Sequence, residues 1–187
     1  ICDNRLVGRL ALTKEGLCAF EYSADWLSTG FSISPFELPL RSGVFIAKPR
    51  PFEGGFGVFD DCLPDGWGLL ILDRYLQQQG INPRTLTLLD RLALVGSTGR
   101  GALEFRPDNS VVTRQDYVDF EKLALEAEQI LDSDDYTGEG IEEFQDRGGS
   151  PGGARPKIFV RYDNKEWLVK FRAKRDPHNI GIDEYRY

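Results

Sequence analysis

Gly148-Gly149-Ser150-Pro151-Gly152-Gly153-Ala154-Arg155-Pro156-Lys157 leads into two apolar-alternating stretches, residues 158–162 and then Glu166-Trp167-Leu168-Val169-Lys170-Phe171. Backbone that carries little side chain wraps closely around phosphate, because bare N–H groups converge on the oxygens. A lysine on a nearby strand supplies the point charge that such a loop lacks. Asp163-Asn164-Lys165 is a good turn sequence, so the two stretches read as an antiparallel hairpin. Period-2 alternation puts Trp167, Val169 and Phe171 on one face and Leu168 with Lys170 on the other. The combination suggests a nucleotide-binding, kinase-like lobe. It is not a Walker-type loop, since Lys157 is followed by Ile158 and by strand-like rather than helical sequence.

Outward from this segment the chain reads as α+β. Residues 6–12 and 17–22 flank Thr13-Lys14-Glu15-Gly16 as a hairpin, and a further strand-like piece lies near 44–47. Asp65 is placed to cap a helix whose apolar positions are Trp67, Leu70, Ile71 and Tyr75, with Gly80 at its end. A second helix is expected from Pro83 through Leu86, Leu89, Leu92 and Ala93 to Gly96, followed by a small-residue loop and a strand at 102–105. Thr113 with Asp116 resembles the start of a capping box, ahead of a helix burying Tyr117, Phe120, Ala124, Ala127 and Leu131. The acidic segment 132–140 reads as a linker. The expected division is 1–107, 108–147 (helix and acidic linker) and 148–187.

Composition sets the limits. Of the 187 residues 41% are hydrophobic and 12% aromatic, enough for a core. A net charge of -7 argues against a general basic footprint on nucleic acid. No run approaches the roughly 20 apolar residues of a membrane span, so no membrane partner is expected. Cys2, Cys18 and Cys62 have no metal-binding or redox spacing and suit a reducing compartment, which points to the cytoplasm. His178 is the single histidine and lies in a polar loop, so Ser/His or Cys/His catalysis and a zinc site are poorly supported. The absence of Met suggests that the sequence is not a whole reading frame.

Each site feature also has a simpler reading. Glycine-rich runs are often plain connections, and Lys170 would look the same as a surface lysine laying its stem along apolar neighbours. Glu184, in Asp183-Glu184-Tyr185, could open a helix and orient Lys170 as a kinase glutamate does, or be an ordinary acidic residue in a first turn.

Several landmarks together resemble one family. Phe59-Asp60-Asp61-Cys62-Leu63-Pro64-Asp65-Gly66-Trp67-Gly68 resembles the F-x-x-x-L-P-D-x-W-G signature of HipA-like toxin kinases. The loop 96–101 followed by Ala102-Leu103-Glu104-Phe105-Arg106-Pro107 is similar to that family's G-A-L-x-F-x-P stretch. The run 150–157, the strand with Lys170 and the start at Asp183-Glu184-Tyr185 follow in the family's order, so the resemblance covers essentially the whole chain.

The resemblance implies an N-terminal subdomain of antiparallel strands and helices, followed by the beginning of a kinase-like N-lobe. It implies an ATP- and Mg2+-dependent serine/threonine protein kinase of a toxin–antitoxin module. Its partners would be a protein substrate and a helix-turn-helix, HipB-like antitoxin, through which DNA is mainly reached. Nucleotide contact is carried to Gly152, Gly153, Ala154, Arg155, Pro156, Lys157 and Lys170, lysine orientation to Glu184, and autophosphorylation to Ser150. The family's catalytic and metal-binding residues are expected downstream of Tyr187, so these residues alone are expected to be inactive as a kinase. Pro151 and Pro156 remove two N–H donors from the loop. The alternative is a non-catalytic interaction module, docking an antitoxin or a second kinase subunit through the apolar helices at 67–75 and 117–131. A small-molecule ATP-dependent transferase is a weaker third option.

Overall fold

A computed structural model describes residues 1–110, 118–133, 136, 138, 140–148, 153–173 and 175–187. In chain order the elements are β1 (Gly8–Leu12), β2 (Cys18–Tyr22), α1 (Ala24–Thr29), β3 (Val44–Ile46), α2 (Gly57–Asp60) and α3 (Gly66–Gln78). A 3-10 turn at Pro83–Thr85 precedes α4 (Leu88–Val95), α5 (Phe120–Asp132), α6 (Gly140–Gly148), β4 (Lys157–Tyr162), β5 (Lys165–Lys170) and α7 (Ile180–Arg186). The class is α+β, with small antiparallel sheets. Two compact units interleave along the chain: the first is Ile1–Leu63 with Arg84–Ser110, the second Pro64–Pro83 with Val111–Tyr187. This differs from a division in simple chain order, because the segment 64–83 belongs with the C-terminal residues.

In the first unit, Thr13 N–H donates to Leu17 O (2.8 Å) and closes the β1–β2 hairpin, whose register runs from Gly8 opposite Tyr22 to Leu12 opposite Cys18. β3 pairs antiparallel on the other side of β2, giving the order β1-β2-β3. Ser23 caps α1 by accepting from Trp26 N–H at 3.1 Å. The core is rich in aromatics, with Phe20, Tyr22, Phe45, Phe56, Phe59 and Phe105 buried together with Leu92 and Val95. Phe20 and Tyr22 meet edge-on at 4.7 Å between centroids, a preferred aromatic geometry.

Two expectations for this unit change. Pro83 opens only the 3-10 turn; α4 starts later, under a capping box in which Thr87 and Asp90 exchange side-chain and backbone bonds. Residues 102–105 form no strand: Glu104 N–H donates to Ile1 O and Phe105 N–H to Gly96 O, so the segment is held by single bonds rather than a ladder.

The second unit packs α3, α5, α6 and the β4–β5 hairpin around Trp67, Ile71, Leu123, Ala127, Ile130, Ile141, Phe144, Ile158, Val160 and Phe171. Trp67 and Phe144 stand edge-on at 5.1 Å, and Phe144 and Phe171 at 5.8 Å. Arg74 is buried on α3 and donates to the carbonyls of Ile130 (2.5 Å) and Ser133 (2.7 Å), satisfying acceptors at the end of α5. Asp163 and Asn164 both take positive φ (51° and 54°) in the β4–β5 turn, the conformation of a tight two-residue hairpin loop.

Here too the expectations shift. Asp119 caps α5, accepting from Lys122 N–H at 3.0 Å; the Thr113–Asp116 start lies outside the described residues. The buried stripe of α5 is Leu123, Ala127 and Ile130, while Phe120 and Leu131 are exposed. The linker reading stops at Gly140, where α6 begins; Ile141 and Phe144, one helical turn apart, are fully buried.

Candidate functional site

β4 and β5 set the geometry of the site in the second unit. Their register places Ile158 opposite Val169 on the core-facing side, while Lys157 stands opposite Lys170 at the open end of the ladder. Like charges directly opposite each other destabilise a strand pair, so this lysine pair has a cost that its surroundings must offset. Trp167 shares the register face of Val169 but remains half exposed beyond the core.

Lys157 is only 5% exposed. Burial holds its ammonium below the usual lysine range, with a further push from Lys170 and an opposing pull from Asp65. Its Nζ donates to Gly153 O at 3.2 Å. Lys170 Nζ donates to Glu184 Oε2 at 3.0 Å, and Arg155 reaches the other oxygen of the same carboxylate at 2.8 Å. The Lys170 hydrogen bond and charge, with help from Arg155, hold Glu184 below the ordinary carboxylate range. Arg155 also donates to Asp176 Oδ1 at 3.1 Å, and Asp176 Oδ2 accepts from Ala173 N–H at 3.0 Å.

α7, which carries Glu184, buries none of its residues. Its ties through Glu184 are exposed ion pairs, which contribute little to stability. The bridge therefore acts as an arrangement of charge rather than as a structural fastening. Arg155, Lys170, Arg172, Asp176, His178 and Glu184 line a cavity of about 180 Å3. That is below the roughly 300 Å3 at which ligand pockets usually start, and suits a phosphate-sized group better than a whole nucleotide.

The loop ahead of β4 is held from α3. Gly153 N–H donates to Asp65 Oδ1 at 3.0 Å, and Gly153 O accepts from Trp67 N–H at 3.0 Å. Asp65 occupies the N-cap position of α3 but makes no capping bond with its side chain. Its expected role as a side-chain cap is thus replaced by a contact 88 residues away. Pro156 is buried, and its carbonyl accepts from Phe171 N–H at 2.8 Å; Ala154 is exposed. Ser150 and Gly152 lie outside the described residues.

Nothing in the residues around Asp65 marks it as reaching the loop. Asp176, in an Asp-Pro turn, is legible only as loop chemistry, yet it is the second anchor of Arg155. Burial pushes the thiols of Cys18 and Cys62 up to about 11, away from reactivity. Among the described residues no group of three or more His, Cys, Asp or Glu is positioned to hold a metal ion, and no helix is long and apolar enough to cross a membrane.

The family model described as the HipA N-terminal domain matches residues 1–106, more than half of the chain. The chain belongs to that family. No curated protein matches it significantly. The matched stretch takes in the first unit as far as residue 106 and the 64–83 segment, and ends before β4, β5 and α7.

Proposed function

We propose that this member of the HipA N-terminal domain family contributes the phosphate-binding face of an ATP-dependent serine/threonine protein kinase. The observation that carries the reading is the cation cluster after Gly153: Lys157 opposite Lys170, with Glu184 bridging Lys170 and Arg155. A lysine held by a helix glutamate is the arrangement by which kinase lobes direct an ammonium at phosphates.

In this reading Lys170 and Lys157 place positive charge against phosphate oxygens, and Glu184 keeps Lys170 extended toward them. Bound ATP with Mg2+ supplies the transferable phosphoryl group, and the family resemblance puts the metal ligands downstream of Tyr187. Ser150 is the proposed autophosphorylation position; phosphate there adds roughly two negative charges to the loop and opposes nucleotide binding. The partners proposed with the kinase are a protein substrate and a helix-turn-helix antitoxin that carries the DNA contact, in a reducing cytoplasm. Of the two apolar helices in the docking alternative, Trp67, Ile71 and Ala127 are spent in the second core, while Phe120, Leu125 and Leu131 stay exposed.

Lys170→Ala, made in the protein expressed from its native reading frame, tests the reading by titration with ATP and Mg2+. Loss of one charge-assisted contact weakens binding by about tenfold or more. The melting temperature should hold, because the Lys170 side chain is 48% exposed. Unchanged affinity overturns the assignment.

A further inference from the structure

We propose that Asp65 is a positioning residue that latches the backbone at Gly153, ahead of β4, and so presets the 153–157 segment for phosphate; this rests on the nucleotide reading above.

Both polar groups of Gly153 are engaged. Its N–H is taken by Asp65 Oδ1 at 3.0 Å, and its carbonyl by Trp67 N–H at 3.0 Å and Lys157 Nζ at 3.2 Å. The first turn of a helix leaves N–H groups without partners, and an N-cap aspartate ordinarily fills one of them with its own side chain. α3 does something different. The Asp65 carboxylate is given to the loop, and the loop carbonyl returns an acceptor to Trp67 N–H. The exchange has the reciprocity of a capping box, with one half supplied from 88 residues along the chain.

Gly66 makes the approach possible. It takes φ +45°, and a Cβ there would lie 2.7 Å from the carbonyl carbon and oxygen of Gly153. Leu63-Pro64-Asp65-Gly66-Trp67 therefore supplies a carboxylate, a gap and an amide in the order the latch uses. Lys157 adds a third tie, from a buried position next to the loop. The Asp65 oxygen also sits on an N–H that an incoming phosphate would seek. A carboxylate acting purely as a competitor would need only that one bond, however, and here the carbonyl of the same residue, in the following peptide group, is fixed twice as well.

The test is hydrogen–deuterium exchange without nucleotide, followed by titration with ATP and Mg2+, on the protein expressed from its native reading frame. The wild-type Gly153 amide should be protected. Asp65→Ala should speed its exchange by about tenfold or more and weaken ATP by a similar factor. Asp65→Asn keeps an acceptor oxygen and should restore much of both, with little change in melting temperature. Wild-type exchange as fast as open loop, or tighter ATP binding in Asp65→Ala, overturns the latch. Protection that is lost on substitution, in a protein that binds no ATP, leaves the latch standing and overturns the nucleotide reading instead.

Discussion

The two units treat a carboxylate near the surface in opposite ways. Asp108, in the first, is surrounded by its own neighbourhood: Ser110 hydroxyl and N–H, Ser97 N–H and Arg106 all donate to it. Those bonds, the Ser110 hydroxyl foremost, drive it far below the usual carboxylate range. Glu184, in the second, takes its donors from a strand end and a loop, and its cations face a cavity. The first arrangement consumes every donor in fastening a turn. The second holds two cations, Lys170 and Arg155, on a carboxylate carried by a helix that buries nothing, so the pairs fasten little.

Removing Trp67 is the harshest way to break this comparison. Its ring is 1% exposed at the centre of the second core, and Trp67→Ala should cost about 3–5 kcal/mol. Hydrogen exchange should show α5 and β4 losing protection while β2 keeps its own. Equal loss in both would mean that the units unfold as one and that contrasting them has no energetic basis.

Gly96→Ala probes the fastened turn. Gly96 has φ +50°, and an added Cβ would fall 1.9 Å from Asp108 Oδ1. Strain of this kind costs about 1–3 kcal/mol, read as a lower denaturation midpoint with ATP affinity unchanged.

Acid sharpens the contrast further. The folded-state pKa of Asp108 lies below its unfolded value, so the stability it contributes is present above the unfolded carboxylate range and is lost as pH falls through the folded one. The melting temperature of the wild type should therefore fall more steeply than that of Asp108→Asn between about pH 5 and about pH 2. Glu184→Gln should have the smallest effect on melting at neutral pH, and should show itself in ATP affinity instead.

What can be read from the sequence is local. Gly16 marks the first hairpin, Asp163 and Asn164 the last, and the alternation of 158–171 sets which residues of β4 and β5 face the core. The Lys170–Glu184 juxtaposition is also legible, because only a loop and the first turns of α7 separate the partners. The errors come where a partner is distant or a pattern thin. α6 offers only Ile141 and Phe144 in an acidic stretch. The α5 stripe is misphased in the apolar pattern because Phe120 and Leu131 look as apolar as Leu123 and Ile130, and only packing decides between them. The partner of Asp65 lies 88 residues away from it, beyond the reach of any periodicity.

The interleaving of the units carries a consequence for inheritance. The chain changes unit after Leu63, after Pro83 and after Ser110. A single recombination between two related genes cannot keep both units whole: a junction after Leu63 divides the first unit, and one after Ser110 parts α3 from its core partners in α5, α6 and β4. The stretch that defines the family, residues 1–106, carries Trp67 and Ile71 without Leu123, Phe144 or Ile158. Lineages that shuffle this domain must therefore pass on the start of the following unit with it, or rebuild the face that α3 presents.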